Sequence, residues 1–174
     1  MSTPADRPSI RIRPARPDDG DALVALIRGL AEYEKLTPPD DEAAKRIIAE
    51  LSAEHPRFGC VIAEIDGKPV GYAIFFETYS TFHGRPRLFL EDIFVVPDAR
   101  GTGAGFALFS RVANEALKRG CGLLEWAVLD WNELAHNFYT KIGAGHDHQW
   151  LPYSLDEPGI RRVASMDVPV DEAV

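Results

Sequence analysis

Two cysteines, Cys60 and Cys121, are all the chain has, too few for a disulfide framework. Both lie in apolar runs, "FGCVIAEI" and "GCGLLEWAV", and read as core thiols rather than nucleophiles. No stretch approaches the roughly 18 apolar residues of a membrane span, and the opening "MSTPADRPS" lacks the apolar core of a signal peptide. Positive charge is in deficit: 19 Lys and Arg against 27 Asp and Glu leave a net charge of −8. Neither nucleic acid nor an anionic membrane is therefore the expected partner. Repeats, linkers and low-complexity tracts are missing too. What remains is a cytoplasmic protein with a single domain over residues 1–174, flexible at 1–8 and frayed at 169–174. A chain of this length buries roughly 70% of its unfolded surface, enough for a core without staples.

The hydrophobic pattern predicts a mixed fold. "SIRIRPA" (9–15) alternates as a short strand. After an Asp cluster, Leu23, Val24, Ile27, Leu30 and Ala31 recur at helical spacing, and Ala44, Ile47, Ile48 and Leu51 mark a second helix. Two β-rich runs flank Asp66-Gly67, a hairpin signal, and "RLFLEDIFVVP" (87–97) is a strand apolar throughout except for Glu91 and Asp92. Phe106, Phe109, Val112, Ala113, Ala116 and Leu117 form a helix stripe ending at Gly120. "GLLEWAVLDWN" reads as a strand, and "NELAHNFYTKIGA" as a helix capped by Asn132 and ended by Gly143. "HDHQWLPYSL" and "GIRRVASMDV" read as a last pair of strands. The order is β-α-α-β-β-β-α-β-α-β-β, an α/β (α+β) fold with a mixed sheet of about six to seven strands flanked by about four helices.

Between the strand ending at Val96 and the helix lies "ARGTGAGF" (99–106). A dinucleotide fingerprint needs G-x-G-x-x-G, but Phe106 stands where the third glycine is required. A P-loop needs Gly-Lys-Ser/Thr, which is absent. What is left is Arg-x-x-Gly-x-Gly at Arg100, Gly103 and Gly105. Bare glycines let main-chain N–H groups approach a polyanion, and the helix N-terminus adds free donors, so a pyrophosphate suits the bend. A tight strand-to-helix turn needing positive φ explains the glycines equally well.

Arg-x-x-Gly-x-Gly after an apolar strand resembles the acetyl-CoA motif of the GNAT N-acetyltransferase superfamily. The longer "LEDIFVVPDARGTGAG" (90–105) resembles its diamine (spermidine/spermine) and thialysine acetyltransferase branch, supported by "LAEYEKL", "EHP", "WNELAHNFYTKIGA" and Trp150. The resemblance runs from about Ile12 to Trp150. It implies acetyl-CoA as co-substrate, a small primary amine as acceptor and a homodimer. The strands at 87–96 and 122–128 would splay apart to admit the cofactor. Main-chain groups of Ile93, Phe94 and Val95 would meet the pantetheine arm. The diphosphate cradle would be Arg100, Gly101, Thr102, Gly103, Ala104, Gly105 and Phe106, with further cofactor contacts at Asn132, Glu133 and Leu134.

Acetyl transfer needs a neutral amine, of which a group with pKa ~10.4 offers about one part in a thousand or fewer at neutral pH, and a proton for the leaving thiolate. Direct attack requires no enzyme nucleophile. The resemblance makes Tyr139 the acid and Glu91 an ammonium ligand or a base acting through water. Tyr33, Glu34, Asp92 and Trp150 would line the amine site. Read alone, Tyr139 is a helix tyrosine packed on the sheet, Asn132 an N-cap, and Tyr33 and Glu34 an amphipathic helix end. Glu91 and Asp92 should point to opposite faces of their strand. One departure bears on the substrate: the diamine enzymes carry glutamates before the tryptophan, whereas "GHDHQW" has His146, Asp147 and His148. The two histidines raise a metal site, but no third ligand is evident and none is expected. An aminoglycoside, a peptide N-terminus or a protein lysine as acceptor, and a non-catalytic acyl-CoA-binding module, stay open as alternatives.

Overall fold

The computed structural model describes residues 9–166. The expected looseness of 1–8 and 169–174 lies outside them. The chain forms two compact units, meeting at Ala127 and Val128.

The first unit is a five-stranded sheet with helices. Strands β1 (Ile10–Pro14), β2 (Gly59–Ile65), β3 (Lys68–Ser80), β4 (Arg85–Val95) and β5 (Leu124–Trp126) lie in that spatial order. The first four pair antiparallel and β5 joins β4 in parallel. Asp66 and Gly67 take positive φ of 51° and 74°, the two-residue turn whose twist matches the strands it joins, as the Asp-Gly pair predicts. Helices α1 (Gly20–Glu34) and α2 (Asp41–Leu51) connect β1 to β2, and α3 (Ala104–Lys118) is the crossover between β4 and β5. Leu23 and Leu26 of α1 are buried with Ile62, Tyr72, Ile74 and Phe94 of the sheet. On α3 the buried stripe is Leu108, Phe109, Val112 and Ala116. Phe106 and Leu117, expected in that stripe, are 58% and 75% exposed.

The second unit holds α4 (Glu133–Lys141) and α5 (Glu157–Ala164). The Asn132 side chain caps α4 by accepting from Ala135 N–H at 3.2 Å.

The sheet is mixed, as expected, but smaller. Among the described residues there are five strands and five α-helices rather than about six to seven and four. The closing pair of strands is the error. Residues 146–155 form no strand, and the described part of "GIRRVASMDV" lies largely in α5. Asp156 caps that helix, accepting from Gly159 N–H at 2.9 Å, and Pro158 suits its first turn. Glu157 pairs with Arg161 one turn on. These local signals outweigh a brief alternation of apolar and charged residues.

Candidate active site

Two features set apart the C-terminal half of β4. Its pairing with β5 covers only Leu88–Leu90 against Leu124–Trp126, after which the chain leaves strand conformation. From Glu91 to Val95, β4 thus has β3 on one edge and no described strand on the other. Val96 N–H donates to Val70 O at 2.9 Å, and strand alternation from that bond sends the main-chain groups of Phe94 to β3 and those of Ile93 and Val95 to the open edge. The expected splay between 87–96 and 122–128 is therefore a pairing three residues long.

The second feature is a bulge. Asp92 stands opposite Ile74 and Leu90 opposite Phe75, so Glu91 is an extra residue with no partner across the ladder. The bulge interrupts the ladder beside Asp92. Glu91 is exposed, while Asp92 is half-buried on the face that carries Tyr72 and Phe94. The Tyr72 hydroxyl donates to Asp92 Oδ2 at 3.2 Å. Burial pushes the Asp92 carboxyl up to about 6, with Glu91 and Glu34 adding to the rise and the Tyr72 bond opposing it. Burial also raises Glu34, at the end of α1. Asp92 thus feels two further carboxylates, one from its own strand and one from the end of α1, a negative neighbourhood that favours a cation.

Beyond β4 the chain bends as the glycines require. Gly101 and Gly103 have φ of 78° and 103°, conformations that side chains resist. A Cβ on Gly101 would meet nothing within 4 Å; on Gly103 it would meet only Ile10 Cδ1, at 3.8 Å, and on Gly105 only Val95 Cγ2, at 3.9 Å. The bend is not filled by the protein's own side chains. No side chain caps α3, and the first helical N–H with a main-chain acceptor here is Ala107, which donates to Gly103 O at 2.9 Å. The Thr102 hydroxyl bonds Ala99 O at 2.7 Å and takes the Ala104 N–H at 3.4 Å. Gly105 and Phe106 N–H groups face the bend with the positive end of the helix behind them. Arg100 Nε bonds Val95 O at 3.2 Å, and its guanidinium lies 4.6 Å from the centre of the Tyr33 ring. These donors fit a diphosphate.

In the second unit, Asn132, Glu133 and Leu134 start α4, and Tyr139 follows Asn132 by two turns. Burial pushes the Tyr139 phenol up to about 12, so it keeps its proton at neutral pH. Trp150 is 79% exposed. The His146 and His148 rings lie 4.0 Å apart, and no group of three potential metal ligands occurs among the described residues. Cys60 is buried, its thiol pushed up to about 12 by burial, which makes it a poor nucleophile. No described helix is long and apolar enough to cross a membrane.

Tyr72 is the residue that reading the sequence missed. It sits in "PVGYAIFF", which reads as core strand, and the available signal was a hydroxyl that a buried tyrosine must satisfy.

This geometry coincides with the comparisons to known proteins. Residues 21–144 match the acetyltransferase (GNAT) family. Thialysine N-epsilon-acetyltransferase of Mus musculus is 38% identical over 167 residues, covering 90% of this chain and 98% of that protein. Its Sus scrofa counterpart is 40% identical with the same coverage. Among solved structures, an integron cassette protein from the mobile metagenome of V. cholerae superposes with a TM-score of 0.79 at 23% identity, covering 91% of this chain and 99% of that one; it shows the fold. The chain belongs to the acetyltransferase (GNAT) family. It is an N-acetyltransferase, and acetyl-CoA is its co-substrate.

Proposed function

We propose that the chain acetylates a small primary amine of the thialysine class, an amino acid with a side-chain amine, working as one acetyltransferase domain in a cytoplasmic homodimer. The observation that carries this reading is the carboxylate-rich neighbourhood of Asp92, felt from Glu91 and Glu34, on the strand that leads into the bare-glycine bend. The two thialysine acetyltransferases, matched over nearly their full length, support it. A long polyamine would need further carboxylates for a distant ammonium, and "GHDHQW" supplies only Asp147. Exposed Trp150, Leu151, Tyr153 and Ile160 support a partner surface in the second unit.

The co-substrate supplies an activated acetyl group. Main-chain donors from Arg100 to Phe106 hold its diphosphate, with Arg100 adding charge. Open-edge groups of Ile93 and Val95 orient its arm beside Phe94, and Asn132, Glu133 and Leu134 contact it further along. Glu91 and Asp92, with Glu34, hold the ammonium, and Tyr33 and Trp150 wall the site. Glu91, through water, takes a proton from the ammonium and passes it to solvent, and the freed nitrogen bonds the acetyl carbon. The carbon–sulfur bond breaks, Tyr139 gives its proton to the departing thiolate, and the proton shed by the new amide nitrogen restores the phenol.

A thiol-release screen over lysine analogues, diamines and aminoglycosides should show thialysine among the best acceptors; turnover confined to aminoglycosides, or none at all, would reject this reading. Tyr139→Phe should keep coenzyme binding and lose about 10²-fold or more in turnover. Glu91→Gln should raise the amine KM about tenfold. Unchanged kinetics in either variant would remove that residue from its role. Light scattering should read twice the mass of the chain.

A further inference from the structure

We propose that Tyr72 is a positioning residue for the amine site, whose buried hydroxyl holds one oxygen of Asp92 and leaves the other for the substrate's ammonium. This rests on the reading of Asp92 as an ammonium ligand.

The geometry begins in the β3–β4 register. Tyr72 pairs with Phe94 and Asp92 with Ile74, so Tyr72 and Asp92 stand diagonally across the ladder on one face. Tyr72 is fully buried, in a cluster with Leu23, Leu26, Ile62 and Phe94. A phenol in such surroundings must find an acceptor, and Asp92 Oδ2 at 3.2 Å is that acceptor. Oδ1 stays free to accept from an ammonium.

The electrostatics explain why the hydroxyl is needed. Asp92 faces Glu91 on its own strand, Glu34 from α1, and Tyr72 and Cys60 from β3 and β2. Burial and both neighbouring carboxylates favour the protonated acid, which cannot hold a cation. Tyr72 alone among these groups opposes the rise. Its own phenol is raised by burial and stays protonated, a constant donor throughout the working range. Arg100, which reaches the end of α1, turns its guanidinium to the Tyr33 and Phe94 rings instead.

The test compares wild type, Tyr72→Phe and Asp92→Asn in steady-state kinetics with thialysine from pH 5 to 8.5, where the amine stays largely cationic. Asp92 binds only when ionised, with its midpoint about 6. Loss of a hydrogen bond to a charged group should raise that midpoint by about one unit. Tyr72→Phe should then raise the amine KM about fivefold at pH 6 and about twofold at pH 7, converging on wild type by pH 8.5, with kcat nearly unchanged. A KM rise by the same factor at every pH, or none, overturns the proposal, because a merely structural tyrosine would not move the midpoint.

Asp92→Asn separates this from the reading beneath it. If that variant leaves the amine KM unchanged, Asp92 is no ligand and that reading falls; if it raises KM while Tyr72→Phe shows no pH-dependent change, only the role of Tyr72 falls. Should Tyr72→Phe fail to fold, carbon-13 titration of the Asp92 carboxyl in chain carrying 3-fluorotyrosine decides. The more acidic phenol is a stronger donor and should move the midpoint downward. An unmoved midpoint overturns the proposal.

Discussion

At the scale of single residues, Arg13 anchors a nearly buried cluster of charge. Arg13 reaches Asp19 Oδ1 and Oδ2 at 2.7 and 2.6 Å and Glu64 Oε1 at 2.7 Å, with all three side chains nearly buried. Asp19 also accepts from Arg16 N–H at 2.7 Å, so its carboxylate is taken before it can cap α1. The bond from Arg13 holds the Asp19 carboxyl below its ordinary range, with burial opposing it. The sign follows from that depression. Stabilisation is full above the unfolded value of about 3.9 and is lost as pH falls through the lower folded value. Asp19→Asn should cost about 3 kcal/mol in denaturant unfolding, a gap constant between about pH 5 and 8 that closes below about pH 4. An Asp cluster before a helix reads as a cap, and only the β1–β2 pairing, which brings Glu64 opposite Arg11 and next to Arg13, reveals the other use.

At the scale of elements, the bend between β4 and α3 is where backbone conformation and proposed ligand binding meet. Gly103 is the N-cap of α3 at φ 103°, and a methyl group there has room, so the cost of adding one is conformational. Gly103→Ala should lower stability by about 1–2 kcal/mol and weaken coenzyme binding in calorimetry by about tenfold or more, as the loop's N–H groups turn away from the diphosphate. Affinity at wild-type strength would show that this amide is not part of the cradle. The bend was legible because glycine spacing and the neighbouring strand and helix all lie within a few residues. The bulge at Glu91 was not: it arises from how β3 pairs with β4, which the residues of β4 alone do not encode. Helix α5 was misread for the opposite reason, since period-two alternation was weighed above the Asp156 cap and Pro158.

At the scale of the whole molecule, the chain is acidic, and the proposed amine site adds carboxylates that would face a cationic substrate. Long-range attraction contributes to capture, so the thialysine kcat/KM should fall as salt is raised from about 50 to 500 mM, mostly through KM. Insensitivity to salt would confine the electrostatics to direct contact. The mixed-sheet class was readable from the order of periodic segments.

The sheet also carries a consequence for assembly. Strands β2, β3 and β4 are joined by tight reversals and can zip locally, whereas β5 must wait until α3 has crossed over and returned a three-residue segment to the far edge. The edge of β4 from Glu91 to Val95 is therefore completed after the β2–β4 meander during refolding. In pulsed hydrogen-exchange labelling, amides of β2 and β3 should gain protection earlier than those of Leu124–Trp126, and competence to retain coenzyme should emerge with the slower phase.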